Sequence, residues 1–199
     1  MRPNRLATVA LTISAVTLTT LSATARAPQA GAAPAPPQPV RSHPDLGAYL
    51  VRTMGCHDCH TPLKMGPKGP EPEMSLALTG HPEALKMPPA PKLPPGPWLT
   101  VVSATNTAWA GPWGVSFTAN LTPDKETGLG DWTEEQFIAT MRTGKHQGKG
   151  RPVLPPMPYF IVGALADPEI KALWAYLRSL PPVKNRVPQP IDPPEGAPQ

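Results

Sequence analysis

Two cysteines and one histidine form the most informative cluster in the chain. Cys56 and Cys59 are the only cysteines among 199 residues, and His60 follows the second one directly. Two cysteines at this spacing serve three kinds of chemistry in proteins: a redox-active disulfide, part of a zinc site, or the covalent attachment of haem. The residues around the cluster distinguish between these three.

The cluster matches an attachment site for c-type haem better than the other two sites. A thioredoxin-like disulfide is expected beside a strand–helix unit, whereas these cysteines follow a predicted helix with no strand pattern before it. A structural zinc ion needs four ligands, and the pentad “CHDCH” is too short to surround one ion. In the Cys-x-x-Cys-His pattern each thiol adds across one vinyl group, and the imidazole binds the iron. We therefore predict covalent haem on Cys56 and Cys59, His60 as an iron ligand, and two exposed spacer residues between the cysteines.

The second iron ligand must come from elsewhere in the chain, and Met157 is the strongest candidate. It stands in “RPVLPPMPYF”, where prolines on both sides stiffen the backbone. A rigid loop suits a thioether ligand because the iron–sulfur bond is weak, and Met/His ligation is a known pattern in haem proteins. Two alternatives stay open. Either Met157 is a packing residue, or the ligand is His146 in “TGKHQGKG”, a segment that we expect to be flexible and solvated.

The remaining methionines and histidines are weaker candidates. Two methionines lie in predicted helical stripes and are expected in the core. Three fall in a proline-rich stretch that would position a ligand poorly, and two histidines next to prolines are expected at the surface. The methionines in helical stripes are Met54 and Met141, and those in the proline-rich stretch are Met65, Met74 and Met87. The two histidines are His43 and His81.

The first 25 residues have the anatomy of a secretory signal peptide. Arg2 and Arg5 make a positive start, residues 6–21 are moderately apolar, and Ala23 and Ala25 form a small-x-small cleavage site. The alternative is an uncleaved membrane anchor, but a spanning helix needs about 20 apolar residues. This stretch is shorter and is interrupted by threonine and serine. We therefore predict export to the periplasm, with cleavage.

Proline usage divides the rest of the chain, because the 32 prolines are concentrated after the signal peptide, in mid-chain and near the C-terminal end. We predict a linker over 26–43, one domain over 44–183 with a proline-rich insertion over about 63–113, and a tail over 184–199. The linker and the tail are expected to be extended and solvated. Removing residues 1–25 takes two of the 18 basic residues, and the 16 left face 14 acidic ones. This small excess does not suggest a nucleic-acid partner.

Two helices are predicted from apolar periodicity and from their end signals. The first covers residues 44–54, and Gly47 within it offers a point of close backbone approach. The second is “DWTEEQFIATMRTG”, in which Thr133 and Gln136 form a capping box and Gly144 ends the helix.

A third helix is predicted in “ADPEIKALWAYLRSLPP”, with Asp167 as its cap and Pro168 at the first helical position. Long, turn-rich loops join these helices. So small a helical frame has too little apolar core to stand easily alone, and a large buried cofactor would fill the gap.

Four segments of the chain resemble a known family. They are “CHDCH”, “TANLTPDKETGLGDWTEEQFIATMRTG”, “LPPMPYF” and “PEIKALWAYLRSLPP”. Together, over about residues 44–182, they resemble a class I cytochrome c domain of the variety found in cytochrome subunits of bacterial membrane-linked alcohol, gluconate and related dehydrogenases. Those subunits usually carry three haem domains, whereas this chain has one pentad.

The resemblance implies an all-α class I cytochrome c fold, with three to five short helices and long loops around one covalent haem c. It implies that Cys56 and Cys59 hold the haem, that His60 is the proximal ligand and that Met157 is the distal one. The function expected is single-electron transfer rather than catalysis. The expected partners are a dehydrogenase, an oxidase or another cytochrome, with association with a membrane complex as an option.

Other readings remain open from the sequence. One is a haem enzyme or sensor in which Met157 dissociates and opens the iron, and another is a fixed subunit of a dehydrogenase complex. The segment “KHQGKGR” is either a docking site for an acidic partner or a solvated charged loop. Apolar contacts to the haem ring are expected from Leu154, Trp132 and Phe137.

Overall fold

The computed structural model describes residues 43–94 and 96–193, with side chains from residue 45 onward. The predicted signal peptide, all but one residue of the predicted linker, and residues 194–199 lie outside this part of the chain. Five α-helices occur within it: α1 (His43–Thr53), α2 (Cys56–His60), α3 (Glu134–Thr143), α4 (Tyr159–Gly163) and α5 (Asp167–Ser179).

Helices α1 and α5 pack closely against each other, and Gly47 is the point of contact. A Cβ atom at Gly47 would collide with the carbonyl oxygen of Ala172, so only glycine allows this approach. Val51 on α1 and Ile170 on α5 are almost fully buried. The predicted role of Gly47 is confirmed, and this helix pair forms one side of the apolar core.

Helix α3 begins and ends at the predicted signals. The amide of Gln136 donates to the hydroxyl of Thr133 at 3.2 Å, and the side chain of Gln136 accepts from the Thr133 amide at 3.0 Å. Gly144 ends the helix with a φ of 66°, a conformation that glycine adopts without steric cost. The capping box is therefore confirmed.

The cap of α5 is one residue earlier than predicted. Ala166 occupies the N-cap position, and Asp167 and Pro168 are the first two helical residues. The carboxylate of Glu169 accepts from the Ala166 amide at 2.8 Å. The capping hydrogen bond is therefore accepted by a side chain in the first helical turn, so the N-cap residue itself needs no polar side chain.

The proline-rich insertion folds into two small antiparallel sheets, so the expectation of an all-α fold is not confirmed. Strands β1 (Leu63–Gly66) and β2 (Gly69–Pro72) form a hairpin. Strands β3 (Val101–Val102), β4 (Ala108–Gly111) and β5 (Gly114–Phe117) form a three-stranded sheet in sequence order. Gly69 and Gly114 follow two-residue turns with φ values of 118° and 90°, which other residues rarely adopt.

The C-terminal segment 183–191 is extended but contacts the domain, contrary to the solvated tail that we expected. Its backbone pairs with β5, where the amides of Val115 and Ile191 each donate to the other residue's carbonyl. Asn185 binds the insertion with its whole side-chain amide. It donates to the carbonyl oxygens of Thr79 and His81 and accepts from the amide of Glu83. This segment therefore clamps the insertion to the core.

His81 is buried rather than exposed, which corrects the prediction made from its neighbouring proline. Its Nε2 atom lies 3.0 Å from the carbonyl oxygen of Leu85, which can only accept, so Nε2 carries the proton. Its Nδ1 atom then accepts from the hydroxyl of Thr107 at 2.9 Å. The imidazole is neutral in this arrangement and ties the middle of the insertion to the loop between β3 and β4. The side chain of the other histidine predicted at the surface, His43, lies outside the described residues.

Across residues 43–94 and 96–193, no helix has both the length and the apolar character needed to cross a membrane.

Candidate haem site

A cavity of about 340 Å³ brings the four predicted site residues together. Cys56, Cys59, His60 and Met157 all line it. Most of the remaining wall is apolar, and it includes Leu121, Leu129, Phe137, Val162, Leu173 and Leu177. The volume lies in the range of pockets that bind small molecules and cofactors.

Helix α2 is the local structure that places both cysteines and the histidine on this wall. It is a single turn of five residues, and it starts after Gly55, whose φ of 71° allows the chain to turn sharply out of α1. Residues three apart in a helical turn lie on the same face. Cys56 and Cys59 are therefore neighbours on the cavity side. Of the two residues between them, Asp58 is exposed as predicted, whereas His57 is half-buried.

The two cysteines are free thiols with raised pKa values. Burial raises the pKa of Cys56 to about 11, and burial together with the nearby Asp58 raises the pKa of Cys59. Redox-active cysteines need the opposite, a lowered pKa that yields a thiolate near neutral pH. The electrostatics of the site therefore disfavour the catalytic disulfide.

His60 is held in the protonation state that an iron ligand requires. Its side chain is 7% exposed, and its Nδ1 atom lies 2.8 Å from the carbonyl oxygen of Ala119. A carbonyl only accepts hydrogen bonds, so Nδ1 carries the proton and the lone pair is on Nε2. Burial lowers the pKa of His60, which also favours the neutral ring. A backbone carbonyl bound to the far nitrogen is the usual support for a metal-bound histidine.

Met157 lies in a loop that hydrogen bonds hold in place. Its amide donates to the carbonyl of Leu154 at 3.3 Å, and its carbonyl accepts from the amide of Tyr159 at 2.9 Å. The hydroxyl of Ser116 donates to the carbonyl of Pro155 at 2.5 Å, which attaches the loop to β5. A thioether on so constrained a loop meets the need for a well-positioned ligand.

The other methionines divide between the cavity and the surface. Met65, Met74 and Met87 are 78%, 60% and 37% exposed, and none of them lines the cavity. Met54 and Met141 pack against the core, as predicted, and also line the cavity. Met141 belongs to α3 and Met54 directly follows α1, so both are core residues as well as wall residues.

His146 is not in a flexible, solvated segment, and this corrects the prediction. It begins a short 3₁₀ turn and is only partly exposed. Its ring packs edge-on against Trp132, with ring centroids 4.7 Å apart, and both residues line the cavity. Burial, and then the charge of Arg151, lowers the pKa of His146 and keeps the ring neutral. His146 therefore remains the principal rival of Met157.

The predicted apolar contacts also lie on the wall, since Leu154, Trp132 and Phe137 all line the cavity. Sequence reasoning missed the stretch 116–119 at the end of β5. This stretch supplies the carbonyl of Ala119 and the hydroxyl of Thr118, a side-chain oxygen buried without a partner in the described structure. A main-chain acceptor leaves no trace in residue type, so no sequence signal pointed to it.

The residues present fit a covalently attached haem. Two thiols stand at one wall, a neutral imidazole has its Nε2 lone pair available, a thioether lies on a constrained loop, and the interior is mostly apolar. Thr118 adds an unpaired donor in the wall for a bound group. A metal held by protein side chains alone finds no such support. The described residues contain no group of three or more histidine, cysteine, aspartate or glutamate side chains placed to hold an ion.

Comparison with known proteins points in the same direction. No family model matches the chain. Over 145 residues it is 36% identical to the cytochrome c subunit of alcohol dehydrogenase (quinone) from Gluconobacter oxydans, covering 71% of this chain and 23% of that protein. Over 67 residues it is 39% identical to the cytochrome c subunit of gluconate 2-dehydrogenase from Pantoea cypripedii, covering 34% of this chain and 15% of that protein.

The chain resembles the cytochrome c subunits of bacterial dehydrogenases. It is also 37% identical over 70 residues to the cytochrome subunit of fructose dehydrogenase from Gluconobacter japonicus, covering 35% of this chain and 14% of that protein. The chain therefore spans less than a quarter of the length of these relatives. The resemblance supports a cytochrome c with haem, iron and electron transfer.

Proposed function

We propose that this protein is an exported mono-haem c-type cytochrome that passes single electrons between redox partners. Cys56 and Cys59 would hold the haem covalently, and His60 and Met157 would bind its iron. The observation that carries this proposal is the hydrogen bond from His60 Nδ1 to the carbonyl of Ala119. It commits the imidazole to the one tautomer that can bind iron through Nε2 in a cavity lined by both cysteines and Met157.

Each residue has a part that follows from its surroundings. The bound haem supplies a reversible one-electron couple. The carbonyl of Ala119 fixes the ring orientation of His60, and the constrained loop keeps the sulfur of Met157 in place. The leucines and Phe137 of the wall keep water from the cavity, and methionine ligation favours a higher reduction potential than a second histidine would. With His60 and Met157 both holding the iron, no substrate would need to bind the metal.

The names of the relatives suggest the partners. These relatives are subunits of dehydrogenases, so a dehydrogenase is the proposed electron donor, and an oxidase or another cytochrome is the proposed acceptor. Their description as subunits also favours the alternative of fixed residence in such a complex. The signal-peptide pattern in residues 1–25 supports a periplasmic location.

The attachment chemistry is tested by measuring the mass and the extractability of the haem. The exported protein should carry the mass of one haem, and acid–acetone should leave the colour with the polypeptide. In the double variant Cys56→Ser/Cys59→Ser any haem should extract freely, while the spacer variant His57→Ala should behave as wild type. Free extraction from the wild type, or two haems per chain, would refute the proposal.

A further inference from the structure

Helix α4 is divided into a buried face and an exposed apolar face. Val162 is 6% exposed and Gly163 is buried. A Cβ atom at Gly163 would collide with the carbonyl oxygen of Met141, so this side of α4 is pressed onto α3. Phe160 and Ile161 point the other way and are 65% and 52% exposed. Two large apolar side chains are therefore exposed to solvent on a helix that packs tightly against α3.

Three cations lie on the loop that leads to this helix. Lys145, Lys149 and Arg151 are exposed, and none of them forms an ion pair in the described structure. Backbone hydrogen bonds hold the loop in place. The amide of His146 donates to the carbonyl of Arg151 at 2.9 Å, and the amide of Gly148 donates to the carbonyl of Lys145 at 2.7 Å. The guanidinium of Arg151 donates to the carbonyl of Pro152 at 3.3 Å, but none of the three cations has an acidic partner among the described residues.

The apolar face and the cationic loop are adjacent. The ring of Tyr159 lies so close to Gly144 that a Cβ atom there would collide with it. The same ring packs edge-on against Phe160, with centroids 5.9 Å apart. Lys145 follows Gly144 directly, so Tyr159 connects the start of the cationic loop to the exposed phenylalanine.

This surface also borders the cavity. Arg151 and Met157 both line the cavity, as does Pro158 immediately before α4. A molecule seated on Phe160 and Ile161 would therefore stand beside the proposed distal ligand.

We propose that Phe160, Ile161, Lys145, Lys149 and Arg151, here called the docking face, receive an acidic surface of the redox partner. The inference rests on the proposed electron-transfer function and names the surface through which it occurs. The apolar pair supplies the desolvated centre and the cations supply the rim, which is the usual anatomy of a protein interface. Unpaired cations raise the rate of encounter with an acidic partner.

A membrane surface fits the docking face less well. A membrane-bound amphipathic helix buries a long apolar face, whereas α4 offers two residues on a helix of five. The position beside the cavity favours a partner that exchanges electrons, which a lipid surface does not.

The test measures electron transfer to an acidic blue-copper protein used as the probe. One electron leaves the reduced protein and converts copper(II) to copper(I), and stopped-flow absorbance follows both at two salt concentrations. Lys145→Glu/Lys149→Glu should slow the reaction about tenfold at low salt, and the effect should shrink at high salt because the charges are screened. Phe160→Ser/Ile161→Ser should slow it at both salt concentrations.

Two control variants make the same kinds of substitution outside the docking face, one in charge and one in exposed apolar side chains. Lys68→Glu/Lys92→Glu makes the same charge change at two exposed lysines of the insertion. Trp98→Ser/Leu99→Ser removes side chains that are 76% and 65% exposed. Both controls should change the rate less than twofold. Equal slowing by the controls, or docking-face variants as fast as wild type, would overturn the proposal.

Two further measurements separate the docking face from the function itself. The uncharged acceptor 1,4-benzoquinone takes one electron from each reduced protein and becomes the semiquinone, and it should oxidise all reduced variants at the wild-type rate because it needs no docking face. A wild type that passes electrons to neither acceptor would refute electron transfer as the function. Sedimentation with phosphatidylglycerol vesicles that depends on Phe160 and Ile161 would make the face a lipid-binding surface and overturn the inference.

Discussion

The Nδ1 atom of His60 donates to the carbonyl oxygen of Ala119 at 2.8 Å, across 59 residues of sequence. This one bond connects the end of α2 to the chain just after β5, and it selects the tautomer of the ring. The acceptor is main chain, so no substitution at Ala119 removes it. The function of the site must therefore be tested at the histidine itself.

Replacing His60 with alanine should abolish stable haem-containing protein, because only His60 is tied to the proposed attachment by its neighbour Cys59. His146→Ala is the matched change of a second histidine on the cavity wall, and it should keep the wild-type low-spin absorption spectrum. Spectra of both purified variants make the comparison. A lost or altered low-spin spectrum in His146→Ala would make that residue the distal ligand in place of Met157.

Replacing Met157 with alanine should remove the weak long-wavelength band of iron–thioether ligation and lower the reduction potential. The reason is that ferrous iron prefers the soft sulfur more strongly than ferric iron does. The variant should also bind carbon monoxide. Met157→His should lower the potential but should not bind carbon monoxide, because the new imidazole takes the place of the thioether. Potentiometric titration measures the reduction potential of the wild type and both variants, and absorption spectra with and without carbon monoxide report the ligation.

Met65→Ala is the control for the Met157 variants, since Met65 is 78% exposed and lies away from the cavity wall. Its band and potential should equal those of the wild type. An unchanged potential and band in Met157→Ala would exclude Met157 and leave His146 as the candidate.

The clamp formed by Asn185 should matter for stability. Asn185→Ala removes three side-chain hydrogen bonds and leaves the carbonyls of Thr79 and His81 without that donor. The free energy of unfolding should fall by about 2 kcal/mol, as measured by urea denaturation. Gln189→Ala, an exposed position in the same extended segment, should change it by less than about 0.5 kcal/mol. Equal effects of the two substitutions would show that the clamp does not stabilise the fold.

The burial of His81 makes stability depend on pH. Burial lowers the pKa of His81 from 6.5, the carbonyl of Leu85 opposes this shift, and the charge of Lys86 adds to it. Since the unfolded chain binds the proton more readily, stability should fall as the pH drops below about 6.5 and should stop falling below the folded pKa. The slope due to this residue is at most about 1.4 kcal/mol per pH unit.

Urea denaturation between pH 5 and 8 measures the contribution of His81. His81→Gln cannot take up a proton in this range, so its stability should fall less steeply with acid than that of the wild type, whatever its value at neutral pH. Parallel curves for the two proteins would contradict the assignment.

The long helices could be predicted from sequence because their signals are local. Helix α3 carries its cap, its apolar stripe and its terminal glycine within a dozen residues, and the structure confirms each of them. Helices α2 and α4 have five residues each, which is too short for periodicity to be visible. The cap of α5 was misplaced by one residue because Glu169 reaches back to Ala166, an option that the more obvious Asp167 concealed.

The sheets and the buried histidine had no comparable signal. Strands of two to four residues, next to many prolines, show no alternation that separates them from loops. The burial of His81 depends on Thr107, which lies 26 residues away. The cluster at Cys56, Cys59 and His60 was visible in the sequence because its residues are neighbours there, whereas the wall that surrounds it comes from residues spread between 54 and 190.

The C-terminal segment is the last part of the cavity wall to be synthesised. Pro190 lines the cavity, and the bond from Asn185 to Thr79 joins residues 106 positions apart. A chain made from its N-terminus presents Cys56 and Cys59 while this last part of the wall is still absent. Contacts of such long range form slowly. If haem attaches as proposed, it would meet both thiols before the C-terminal segment docks and completes the wall.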